Sequence, residues 1–125
     1  MKTVIIIIVA VLIHSVCYAK SVTYICDYIM FASPEGLQKE TSKLELKFQI
    51  NDKPAKSYLL HKDGSTVVDV VRDSFTGSIT IIETNTAGGV WTTVISKDGE
   101  SAHNRTFFSF GKLFPSQHYG KCVTK

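Results

Sequence analysis

Between Ser101 and Cys122 the chain gathers its densest set of side chains able to bind or react: His103, Arg105, His118 and Tyr119. His103 and Arg105 are two residues apart, which puts them on one face of a strand. Arg105 offers a planar fork of N–H donors suited to carboxylates and phosphates. If the fold brings His118 and Tyr119 to the same end of a sheet, the four form a site for an anionic or hydrogen-bonding partner. The alternative turns Arg105 and the histidines outward and fills the core with Phe108 and Phe110, following the usual preference of charged and apolar side chains.

Other chemistries find less support. His61, His103 and His118 could in principle hold a zinc ion with one position open, and a metal-dependent hydrolase would use His103 and His118. No His-x-x-x-His pair, Cys-x-x-Cys pair or acidic cluster joins them, and His61, directly before Lys62-Asp63-Gly64, reads as a solvated turn residue. No serine occupies a Gly-x-Ser-x-Gly elbow. Gly88-Gly89 falls between two strands with no helix to follow, so it reads as a turn instead of a phosphate cradle. The pattern therefore predicts no catalytic residue, no metal site and no cofactor. Asn104-Arg105-Thr106 is formally a glycosylation acceptor.

The elements that must position these residues begin after an export signal. Met1-Lys2 is a positive start, Val4 to Ile13 is an unbroken apolar run, and Cys17-Tyr18-Ala19 puts small residues at the −3 and −1 positions of a cut after Ala19. The run is half of the roughly 20 residues a membrane helix needs. His14-Ser15-Val16 does not supply the residues that precede a lipidated cysteine. Residues 1–19 are thus a signal peptide and 20–125 one domain of 125 − 19 = 106 residues. Loss of Lys2 leaves 13 basic against 11 acidic residues, a net charge of +2 without a basic run. A nucleic-acid surface, an anionic-membrane surface and stable membrane insertion are not indicated.

Lys43 to Ile50 alternates Leu44, Leu46, Phe48 and Ile50 with charged and polar residues, the period of a half-buried strand. Seven more strand-like segments run near Val22–Phe31, Lys56–His61, Thr66–Arg72, Ser78–Thr84, Val90–Ser96, Ser101–Phe110 and Gln117–Val123. Asp63-Gly64 and Asp98-Gly99 are hairpin turns, and Asn51–Pro54, Phe75–Gly77 and Asn85–Gly89 mark further reversals. Ser33-Pro34-Glu35-Gly36 opens the longest connection, with room for one helical turn.

Short strands joined by tight turns make an all-β, antiparallel up-and-down meander, and eight of them can close into a barrel. A β-sandwich is the rival arrangement. Once Cys17 leaves with the signal, Cys26 and Cys122 remain, in the first and last strands. Closure makes those strands neighbours, close enough for a disulfide. Such a link closes a loop of about a hundred residues, which the chain-entropy model values at roughly 4.7 kcal/mol.

Residues 77 to 122, with Thr92-Thr93-Val94-Ile95, Ala102-His103-Asn104-Arg105 and Pro115-Ser116-Gln117-His118-Tyr119-Gly120-Lys121-Cys122, resemble a group of small exported bacterial proteins ending in Pro-Ser-Gln-x-Tyr-Gly-x-Cys. Those relatives carry serine after the histidine, where this chain has Asn104. The resemblance implies a Gram-negative periplasm, where disulfides form readily. It brings no activity or mechanism.

Export, a disulfide and missing catalytic signatures together point to a monomeric, non-enzymatic periplasmic domain that binds an unknown protein or envelope component through its loops. Inhibition of an envelope-attacking hydrolase is a special case by fold analogy. A small-ligand carrier of lipocalin-like character is the alternative, although Phe48, Trp91, Phe108 and Phe110 would compete for the interior.

Overall fold

A computed structural model describes residues 20–125, so the expected signal at 1–19, with Cys17, lies outside the described residues. Eight strands follow in order: β1 (Ser21–Ser33), β2 (Gly36–Asn51), β3 (Ser57–His61), β4 (Gly64–Arg72), β5 (Ile79–Thr84), β6 (Val90–Ile95), β7 (Glu100–Ser109) and β8 (Lys112–Thr124). Each pairs antiparallel with its predecessor, and β8 returns to β1, closing a barrel without a sheet edge. The expected meander is therefore present as a closed barrel and not as a sandwich. Cys26 lies directly opposite Cys122 in the β1–β8 ladder, with Cα atoms 3.9 Å apart, and the two form the disulfide.

Antiparallel alternation sorts the loops into two ends. At one end lie Lys20, Lys125 and the loops 52–56, 73–78 and 96–99; at the other lie the reversals at Pro34-Glu35, Lys62-Asp63, 85–89 and Phe110-Gly111. We call these the terminal end and the hairpin end. Alternation also turns every second side chain inward. Cys26, Phe48, Ile50, Leu59, Val68, Ile79, Ile81, Ile95 and Cys122 fill the interior toward the terminal end.

Two details correct the sequence reading. Ser33-Pro34-Glu35-Gly36 holds no helical turn: Ser33 pairs with Gly36, and Pro34-Glu35 is a two-residue hairpin loop. Proline presets the backbone for the turn, and Gly36 tolerates the φ of 112° that follows. β2 therefore starts seven residues before the alternating stretch, and its ladder with β1 is irregular. Tyr28 pairs with Leu44 but Met30 with Lys39, which leaves Glu40 to Lys43 bulged out of the ladder opposite Ile29.

The second correction concerns the core. Phe108 and Phe110 do not enter it; both are exposed, and Phe110 is 100% accessible. The reason is the reach of β7. Its ladder with β6 ends at Asn104, and the β1–β8 ladder ends at Gln117, so Arg105 to Ser116 pair only with each other as a ribbon standing off the barrel.

Gly120 explains one position of the terminal motif. A Cβ there would lie 1.9 Å from the Asp27 carbonyl oxygen and 2.7 Å from Tyr28 Cα. Only glycine lets β8 approach β1 this closely.

Candidate functional site

Ladder positions bring three of the four singled-out residues together. His103 faces His118 and Arg105 faces Ser116 across the β7–β8 pair, all on the inner surface. His103 and His118 are each 3% accessible, so the histidines are interior residues, opposite to the outward arrangement. Their ring centroids are 5.9 Å apart. Tyr119, the next residue along, points outward, where its hydroxyl donates to Gln117 Oε1 at 2.5 Å. It does not join the site. His61 is exposed, but as the last residue of β3 and not in the turn, and it hydrogen-bonds Thr66 at 2.8 Å.

The buried hydroxyls and imidazoles around the histidines are hydrogen-bonded to one another. Ser101 Oγ donates to the Val94 carbonyl at 3.0 Å, which leaves it to accept from the Tyr28 hydroxyl, also at 3.0 Å. Thr93 Oγ1 and His103 Nδ1 are 2.8 Å apart. Both ring nitrogens of His118 are engaged, Nε2 with Ser116 Oγ at 3.1 Å and Nδ1 with the Glu40 carboxylate. Arg105 Nε donates to Ser116 Oγ at 3.4 Å. Phe31 stacks on His118 with centroids 5.8 Å apart, and Trp91 and His103 meet edge to face, at 83° with centroids 6.4 Å apart.

Burial decides the charge state of His103. Desolvation first, then the Arg105 guanidinium and His118, push its pKa down to about 4, so at neutral pH the ring is uncharged. Burial likewise raises the Tyr28 phenol, against hydrogen bonds from Ser101 and Thr93.

Above His118 the site opens. A cleft of about 520 Å³ lies between the β1–β2 and β7–β8 hairpins, walled by Phe31, Phe107 and Phe114, with Glu40, Arg105 and His118 among its polar groups. Arg105 is half-buried there, and among the described residues no carboxylate lies within ion-pair distance of it. The two carboxylates that line the cleft are engaged elsewhere, Glu40 with His118 and Glu35 with the Ser33 hydroxyl. A larger recess of about 880 Å³ sits at the terminal end under loop 51–57, but its Asp52 and Arg72 already neutralise each other at 3.6 Å. The charged residues of that recess are all exposed, whereas the smaller cleft joins half-buried Arg105 to the buried His118 and is the better candidate.

Among the described residues, no group of three His, Cys, Asp or Glu side chains gathers closely enough to hold a metal ion. Glu40, Phe31, Thr93 and Ser116 were not among the residues singled out from the sequence. Ser116 lies inside the Pro-Ser-Gln motif and so carried a signal, whereas Glu40 sits in a featureless polar stretch and reaches the site only through the β2 bulge.

No protein-family model, no curated protein and no solved structure matches this chain.

Proposed function

We propose that this chain is an exported, non-enzymatic binding domain of the Gram-negative periplasm, which captures a protein or envelope partner in the cleft between its two long hairpins. One observation carries the reading: Arg105, half-buried among aromatic walls without a carboxylate partner. A partly desolvated cation lacking a counter-charge costs stability, and an anionic group on a partner would offset that cost through paired N–H donors. Phe31, Phe107 and Phe114 would cover the apolar remainder of such a partner.

The disulfide supports an oxidising compartment. An envelope-attacking hydrolase is one partner this geometry would suit, since an inhibitor blocks by filling a groove with a projecting element. The carrier reading is less well supported, because Phe48, Ile50, Ile81 and Ile95 occupy the interior below the histidines and a ligand would have only the open cleft.

Arg105→Glu tests the proposal. Wild-type domain is expected to recover a partner from periplasmic extract of its host, and the variant to recover it roughly tenfold less or worse, with unchanged circular dichroism. Equal recovery by both, or no recovery by folded wild type, would sink it.

A further inference from the structure

The free-standing ribbon from Arg105 to Ser116 has an unusual surface. Strand alternation normally leaves one face of a ribbon polar. Here the inner face carries Phe107 and Phe114, stacked at 5.1 Å, while the outer face carries Phe108 opposite Leu113, and Phe110 stands at the apex. A protein partner seated on one face would leave the other in water. An apolar medium that surrounds the tip would cover both faces and the apex together.

The turn points the same way. Phe110 and Gly111 have φ of 48° and 74°, the pair of positive values that a two-residue hairpin loop requires and that asparagine or glycine adopts at least cost. A bulky aromatic in the left-handed region is uncommon and strained, and such strain is retained where the side chain has a use. Phe110 touches nothing in the barrel, so its use lies outside.

Charge identifies the medium. From Asn104 to Gln117 the chain contains Arg105 and Lys112 and no carboxylate. The mature excess is 13 − 11 = +2, so this ribbon accounts for all of it and the remaining basic and acidic residues balance at 11 each. The ribbon itself thus carries only positive charge, while Glu35 and Glu40 border the cleft on the facing hairpin, bound to Ser33 and His118.

We propose that the β7–β8 hairpin docks tip-first into an anionic lipid leaflet, with Phe110 leading, Phe107, Phe108, Leu113 and Phe114 at the acyl boundary, and Lys112 and Arg105 against headgroup phosphates. Aromatic side chains favour that boundary, and basic residues are drawn to anionic lipid. The contact is interfacial. Five residues per strand reach about 17 Å, well under the ~30 Å of a hydrocarbon core, so the ribbon wets one leaflet and spans nothing. Lys20 and Lys125, the bounds of the described residues, lie at the opposite end of the barrel.

The docking shares Arg105, Phe107, Lys112, Leu113 and Phe114 with the cleft, but Phe110 does not line it, so a Phe110 variant separates vesicle binding from partner capture in the cleft. Cosedimentation of the disulfide-bonded domain with vesicles of equimolar phosphatidylethanolamine and phosphatidylglycerol tests it, with phosphatidylcholine vesicles as the neutral comparison. Wild type is expected to sediment with the anionic vesicles and much less with the neutral ones. Phe110→Asn, which relaxes the turn and should fold at least as well, is expected to bind about tenfold more weakly, and Lys112→Glu to a similar degree. Absence of vesicle binding by folded wild type overturns the proposal, as does equal binding to both lipids. So does a tip that Phe110→Asn shows to serve a protein instead, through loss of a self-associated form or of an extracted protein while vesicles are ignored.

Discussion

The terminal and hairpin halves of the barrel share the same strands and differ in filling. Toward the termini, the disulfide, Phe48, Ile50, Ile81 and Ile95 make a dry interior. Toward the hairpins, the same inward positions hold Glu83, Thr93, His103 and His118. Dispersion and the hydrophobic effect stabilise the first half without directional demands. The second half depends on each polar atom finding a partner, and a partly satisfied network costs more than an apolar one. Trp91 Nε1 is buried with no protein acceptor among the described residues, a cost that falls in this half. The difference teaches a division of labour: one end holds the barrel shut so that the other can keep buried polar groups and strained or unpaired features at its mouth.

If that division holds, the largest stability loss comes from the terminal half. Replacing Cys26 and Cys122 together by alanine releases a constraint spanning 96 residues and should cost roughly 4–5 kcal/mol, read as a lower urea midpoint. A loss below about 1 kcal/mol would show that strand pairing alone closes the ring.

The hairpin half should instead respond to acid. The His103 pKa is depressed to about 4 in the folded chain, against about 6.5 unfolded, so the unfolded state binds a proton the native state refuses. Stability is full above pH 6.5 and falls as pH drops toward 4, by about 3 kcal/mol. His103→Gln should flatten that stretch of a plot of urea midpoint against pH. An unchanged slope would place the acid sensitivity elsewhere.

Glu40→Ala sharpens the contrast further, since it leaves buried His118 without its carboxylate and should cost about 1–3 kcal/mol by the same denaturation measurement. The smallest effect belongs to Tyr119→Phe. That hydroxyl meets only Gln117 on the outer surface, so the change should stay within about 0.5 kcal/mol and leave partner recovery intact. A loss of partner binding would return Tyr119 to the site.

Legibility followed the same divide. Alternation of Leu44, Leu46, Phe48 and Ile50 marked the dry half directly, because an apolar inward residue and an exposed lysine leave opposite signatures. The start of β2 stayed hidden, since the bulge from Glu40 to Lys43 breaks the period and every residue there is polar, and no helix formed where the Pro34 turn had left room for one. Phe108 and Phe110 misled for a related reason: hydrophobicity predicts burial only where the sheet extends far enough to bury them, and here two neighbouring ladders stop at Asn104 and Gln117.

The residues by themselves determined the number of strands, the reversals between most of them, and the pairing of Cys26 with Cys122 that a closed meander demands. They also placed His103 and Arg105 on a common face, since a period of two fixes which side chains travel together. They did not determine whether that face was inner or outer. Only closure of the barrel settled it, by setting the register that opposes His103 to His118 and by bringing Glu40, 78 residues away in the chain, to the same imidazole. Local pattern fixes relative orientation along a strand, whereas the sign of that orientation and every partner across the barrel are properties of the assembled sheet.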